Sequence, residues 1–113
     1  MTLVTRHLCG AKDLGLNGNL YGGNMMSWMD EAAYLYVRSL YPDETWVTRA
    51  FTDVEFLRPV KCGQAVVIRG TVMRIGTTSA TLKLFASVDE VEVCTMQATF
   101  VAVDQNGNKK AID

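Results

Sequence analysis

The chain has 113 residues, with 11 Lys and Arg against 12 Asp and Glu and a formal net charge of -1. That balance excludes the basic excess of a nucleic-acid binder. A hydrophobic content of 49% with 20% charged residues excludes a disordered chain, and the length suits one domain over residues 1–113.

No apolar run approaches the roughly 18 residues of a membrane span, and Met1–Arg6 does not read as a signal peptide. Cys9, Cys62 and Cys94 are scattered, no C-x-x-C pair occurs, and His7 is the only histidine. Neither a disulfide framework nor a metal site is expected, and the chain reads as a reduced, cytoplasmic protein.

Thr2–Leu8 alternates as a first strand. His7 and Cys9 would share a face there. They read either as a Cys/His nucleophilic pair or, more plainly, as a strand-edge histidine and a small buried thiol, since no third group stands ready to orient a base. Gly10 to Gly23 is loop material, with five glycines and with Asn17 and Asn19 between them. Asn24 to about Leu40 predicts a helix, with Asn24 as N-cap and Pro42 beyond its end. Trp46–Phe56 then reads as a strand, and Leu57-Arg58-Pro59 as a turn. Ala65–Ile75 is a β-branched run closed by Gly76. Ser79–Val88 alternates cleanly, Val91–Asp104 is a long final strand, and Asn106-Gly107 signals a turn. One strand, one helix and four strands make an α+β chain, and without a second crossover helix the sheet should be mostly antiparallel.

At ~100° per residue, Met25, Met29, Ala32, Ala33, Tyr36 and Leu40 cluster on one side of the helix. Asn24, Ser27, Glu31 and Arg38 lie opposite, and Met26, Trp28, Leu35 and Val37 fill the flanks. A helix this apolar is wrapped by its own sheet or by a partner subunit, so an oligomer, at least a dimer, is expected. Glu31 sits mid-stripe in water. Asp30 lies at the margin beside Met26, Ala33 and Val37, where a carboxylate suffers desolvation. Spacing alone leaves it either a snorkelling boundary residue or a functional group. Gly22 and Gly23 stand just ahead, where helix N-termini offer unpaired N–H groups that suit an oxyanion. Donors and a carboxylate on one element suggest a hydrolytic site.

Further stretches carry a resemblance. Asn17-Gly18-Asn19-Leu20-Tyr21-Gly22-Gly23 with Ser27-Trp28-Met29-Asp30-Glu31-Ala32-Ala33, then Val47-Thr48, Val54–Val60 and Gly63, Arg74–Ser79 and Ala98–Asp104 follow one another along the whole chain. Together they resemble the acyl-CoA hydrolase branch of the hotdog-fold thioesterases. The resemblance implies a five-stranded antiparallel sheet wrapped around one long central helix. It implies a homodimer with one continuous sheet, further assembled as a trimer of dimers, and pantetheine threading between subunits. By position, Asp30 matches the catalytic carboxylate, a general base or else a direct nucleophile. Gly23 matches the N–H that polarises the thioester carbonyl, and Thr48 a hydroxyl that positions water across the dimer. Gly22, Arg58, Arg74, Gly76, Thr77 and Thr78 would line the CoA path, although each arginine also reads as a solvated strand-end charge.

Two departures stand out. Gly15 occupies the place of the family's loop asparagine, so Asn17, or Asn19, would supply any amide beside the substrate. Thr77 stands where a basic or polar residue usually meets the CoA phosphates. The expected activity is hydrolysis of acyl-CoA with no metal or organic cofactor, CoA being part of the substrate. A non-catalytic acyl-CoA-binding module is the alternative. A hotdog dehydratase ranks last, because His7 is far in sequence from the Asp30 helix.

Overall fold

The computed structural model describes residues 1–113. Strands β1 (Thr2–Leu8), β2 (Thr45–Phe56), β3 (Ala65–Ile75), β4 (Ser79–Val88) and β5 (Val91–Val103) form one antiparallel sheet in the order β1-β3-β4-β5-β2. Helix α1 (Gly22–Leu40) packs across it, and a short 3-10 turn covers Ala11–Asp13. This is the architecture that the resemblance implied. No helix is long and apolar enough to cross a membrane.

The alternation in β4 explains the core. Ala80, Leu82, Leu84 and Ala86 are fully buried, as are Met96, Ala98 and Phe100 of β5 and Met29, Ala32, Ala33 and Val37 of the helix. The alanines let helix and sheet approach closely. Gly70 of β3 serves the same end, since a Cβ there would lie 2.8 Å from Cδ2 of the Tyr36 ring. Asp89 and Glu90 close the β4–β5 hairpin with φ of 50° and 68°, the left-handed pair a two-residue hairpin requires. At Asn106-Gly107 the expected turn forms, held by the Asp104 carboxylate, which accepts from the N–H groups of Asn106 (2.9 Å) and Asn108 (3.0 Å).

Two sequence expectations shift. The helix begins at Gly22, because the carbonyl of Tyr21 accepts its first bonds, from the N–H groups of Asn24 (3.0 Å) and Met25 (3.1 Å). Asn24 is thus a residue of the first turn and not the N-cap. Leu40 does not join the core face and is 39% exposed. Tyr41 and Trp46 fill that end instead, edge to face at 6.0 Å, with the Trp46 indole N–H donating to the Tyr41 carbonyl.

Candidate active site

Two glycines make a poor first turn, each costing about 1 kcal/mol against alanine. No side chain caps it. The turn is tied down from behind. Tyr21 N–H donates to the Asp13 carbonyl at 2.9 Å, and the Asn24 side-chain amide reaches both that carbonyl and the Asp13 carboxylate at 3.4 Å. Asp13 is itself buried and accepts from Gly10 N–H at 2.9 Å. The N–H groups of Gly22 and Gly23 form no hydrogen bond within the chain. They are the two donors the helix end leaves for a ligand. The Tyr21 ring folds over Gly23, so a Cβ there would lie 2.6 Å from its Cε2.

On the same helical face, seven residues on, Asp30 is half-buried. It lines an open cleft of about 440 Å³ with Ser27, Glu31, Tyr34, Leu35 and Thr48. Thr48 arrives from β2, the edge strand of the sheet, where a β-bulge breaks the register just after it. Bulges of this kind re-aim side chains at sites. Asp30 and Thr48 therefore meet in one cleft within a single chain. Glu31 is exposed as expected, yet it borders the same cleft.

Other expected residues stay apart. Asn17 lies in a second cavity, of about 310 Å³, with Gly15, Leu16, Leu20, Tyr21 and Gly22. Its side-chain oxygen accepts the Asn19 N–H at 3.0 Å, closing a local turn. The Asn19 side chain in turn binds the Lys61 ammonium. Position 15 is filled from the side, as a Cβ there would lie 3.3 Å from the Tyr21 ring. Arg58 donates to the Glu92 carbonyl, and its backbone joins Val93, near the start of β5. The Gly76–Thr78 turn sits beyond the other end of that strand, with the Thr78 carbonyl on Ala102 N–H at 2.8 Å and the Thr77 carbonyl on Ile112 N–H at 2.9 Å. Eight residues of strand, about 27 Å, separate Val93 from Val101, so one chain does not join Arg58 to that turn. Arg74 is exposed near the end of β3, paired with Thr81 at the turn's side of the sheet.

His7 and Cys9 follow the plainer reading, a strand-edge histidine and a small buried thiol, and not a nucleophilic pair. The His7 ring stacks on Trp28 at 4.7 Å, with its Nε2 on the Thr5 hydroxyl at 3.1 Å. Burial holds its pKa below the usual value, against the opposing charge of Glu31. Cys9 follows the end of β1, is buried, and has its thiol pushed up by burial, then by Asp13 and Cys62. A reactive cysteine needs the reverse shift. Sequence reasoning missed Asp13, whose only signal is an acid three residues after Gly10, and Tyr34, which is one helical turn beyond Asp30 and therefore shares its face.

Comparison with known proteins bears on this geometry. The family model for the thioesterase superfamily matches residues 17–95, taking in the Gly22-Gly23 turn, Asp30 and Thr48. An uncharacterised acyl-CoA thioester hydrolase of Haemophilus influenzae is 30% identical over 97% of this chain and 77% of its own. Among solved structures, a hexameric thioesterase of Yersinia pestis superposes with a TM-score of 0.91 at 27% identity, covering 98% of this chain and 94% of its own. A hexameric hotdog-fold thioesterase of Campylobacter jejuni gives 0.90 at 25% identity, over 100% and 91%. With its fold, its helix-end donors and its cleft acid in that company, the chain belongs to the thioesterase superfamily and has the hotdog fold.

Proposed function

We propose that this protein hydrolyses acyl-CoA thioesters to a free acid and CoA. The observation that carries the reading is the pairing of a half-buried Asp30, in a cleft with Thr48, with two unbonded glycine N–H groups on the same helical face. Asp30 takes a proton from water, which attacks the thioester carbonyl carbon while the Thr48 hydroxyl orients it. Negative charge gathers on the carbonyl oxygen, where Gly23 N–H of a second copy donates to it. Collapse of that intermediate expels the CoA sulfur, which receives the proton held by Asp30. A thioester is already activated, so a base and oxyanion donors suffice without metal or organic cofactor.

Seven residues put Gly23 and Asp30 about 10 Å apart along the helix axis, too far to serve one carbonyl carbon. A second copy resolves this. The 12-residue β2 is a free sheet edge with Val47 and Phe56 about half exposed, and such edges invite strand pairing. Antiparallel β2 strands across a two-fold axis would set the helices antiparallel and bring Gly23 of one copy opposite Asp30 of the other. The same operation would bring the Gly76–Thr78 turn and Arg74 of one copy toward the end where the other presents Gly22 and Arg58, giving CoA a path along the interface. The Yersinia and Campylobacter thioesterases are named as hexamers, which supports a trimer of such dimers. Three unpaired cysteines suit a reducing, cytoplasmic setting.

The test is thiol release from a panel of acyl-CoAs of increasing chain length, followed with a thiol reagent. Turnover sustains the reading. One observation favours the second reading, a non-catalytic acyl-CoA binder: the loop offers no amide at Gly15, where the Tyr21 ring lies, and the Asn17 oxygen is committed to its own turn. Saturable binding without turnover would select it. If Asn17 supplies the amide through its free nitrogen, Asn17→Ala lowers turnover with the fold intact. Full activity in that variant leaves Asn19 or no amide at all.

A further inference from the structure

The geometry points to Asp13 as the positioning residue for the oxyanion donors, an inference that rests on the thioesterase reading of Gly22 and Gly23. The helix opens on two glycines behind a tyrosine that cannot cap it. Left to local propensity, such a turn frays. Asp13 is the one residue bonded to both ends of that turn. Its carbonyl accepts Tyr21 N–H at 2.9 Å, and its carbonyl and carboxylate share the Asn24 amide at 3.4 Å. The carboxylate also accepts Gly10 N–H at 2.9 Å, which braces the 3-10 turn closed by Asp13 N–H on the Gly10 carbonyl at 3.0 Å and so helps fix where the Asp13 carbonyl points. Asp13 is only 8% exposed, so these bonds compete little with water. Besides Gly10 N–H, the donors it takes come from the two residues that flank the glycines. Tyr21 and Asn24 are bound and the two N–H groups between them are left free. The carboxylate thus sets the aim of the donors without touching the substrate.

The experiment compares Asp13→Ala, Asp13→Asn and Asn24→Ala with the parent, all as the intact oligomer. One readout is kcat and KM on the best acyl-CoA of the panel. The other is amide hydrogen exchange at Tyr21, Asn24 and Met25, whose N–H groups are hydrogen-bonded at this turn, against Ala32–Val37. Asp13→Ala should lower kcat about tenfold to a hundredfold, the size expected of a misplaced catalytic group, with KM nearly unchanged. Asp13→Asn keeps an acceptor for Gly10 N–H and should recover most of the loss. Asn24→Ala should reproduce part of it, and its effect should not add to that of Asp13→Ala. Exchange should accelerate at Tyr21, Asn24 and Met25 alone. Unchanged kcat in Asp13→Ala, or exchange that rises evenly along the helix, overturns the proposal. A parent that hydrolyses no acyl-CoA defeats the thioesterase reading, while exchange at Tyr21, Asn24 and Met25 still decides whether Asp13 holds the turn.

Discussion

The two faces of α1 obey different rules. Toward the sheet, Met29, Ala32, Ala33 and Val37 are fully buried and shaped by packing. Beside it, bordering the edge strand β2, Gly23, Ser27, Asp30, Glu31 and Tyr34 are exposed or half-buried and carry unbonded donors, two acids and a phenol. The inner face explains why the protein folds. The outer face adds little to folding and carries the chemistry proposed above. Substitutions on the two faces should therefore separate stability from turnover.

The sharpest way to break this contrast is Asp30→Asn. Losing a positioned base should lower kcat by roughly a hundred- to ten-thousandfold, with acyl-CoA affinity and melting temperature nearly unchanged. Normal turnover in that variant would put the base elsewhere. Next comes the inner face: Met29→Ala leaves a cavity under the helix and should cost about 2–5 kcal/mol in chemical denaturation. The remaining folded fraction should keep its kcat. A loss of kcat comparable to that of Asp30→Asn would show that the faces are not separable.

A third test uses pH against the inner side only. Cys94 of β5 is fully buried, and burial pushes its thiol up to about 11 from an ordinary 9.0. The folded pKa is raised, so its contribution is complete below about pH 9 and is lost as pH rises through 11. Stability should fall by on the order of 2 kcal/mol across that window. A Cys94→Ala variant should lack this component, and equal alkaline loss in both proteins would refute it. The smallest effect is expected from Glu31→Gln, which should leave kcat within about twofold. Glu31 borders the same cleft as Asp30, so a large loss here would exchange the roles of the two acids.

Much of this was legible in the sequence because strands and helix follow strong periods. The strands fall within a residue of their expected ends, since alternation in Ser79–Val88 and the β-branched run in Ala65–Ile75 leave little choice. The helix starts before Asn24, the residue the sequence points to, because side-chain capping is the signal a sequence displays. Here a backbone carbonyl begins the helix, and Asn24 reaches back to a residue eleven positions earlier. Leu40 was misplaced because 100° spacing describes the helix and not where its supporting partners stop. In the site, Asp30 stood out from its marginal position and the glycines from their place before the helix. Asp13 did not, because its importance lies in which distant donors it gathers. The spread of Arg58 and Thr77 to opposite ends of β5 was likewise invisible, as it depends on strand order.

That strand order also governs when the cleft can exist. Thr48 rides on β2, whose only partner in the sheet is β5, the last strand of the chain. The helix and β2 leave the ribosome early, but β2 has nothing to bind until β3 and β4 have passed and β5 follows. Pairing between elements so distant in sequence is entropically slow to close. Asp30 and Thr48 are thus brought together by one of the final acts of folding. A chain halted before Val91 would carry Gly23, Asp30 and Thr48 without a site.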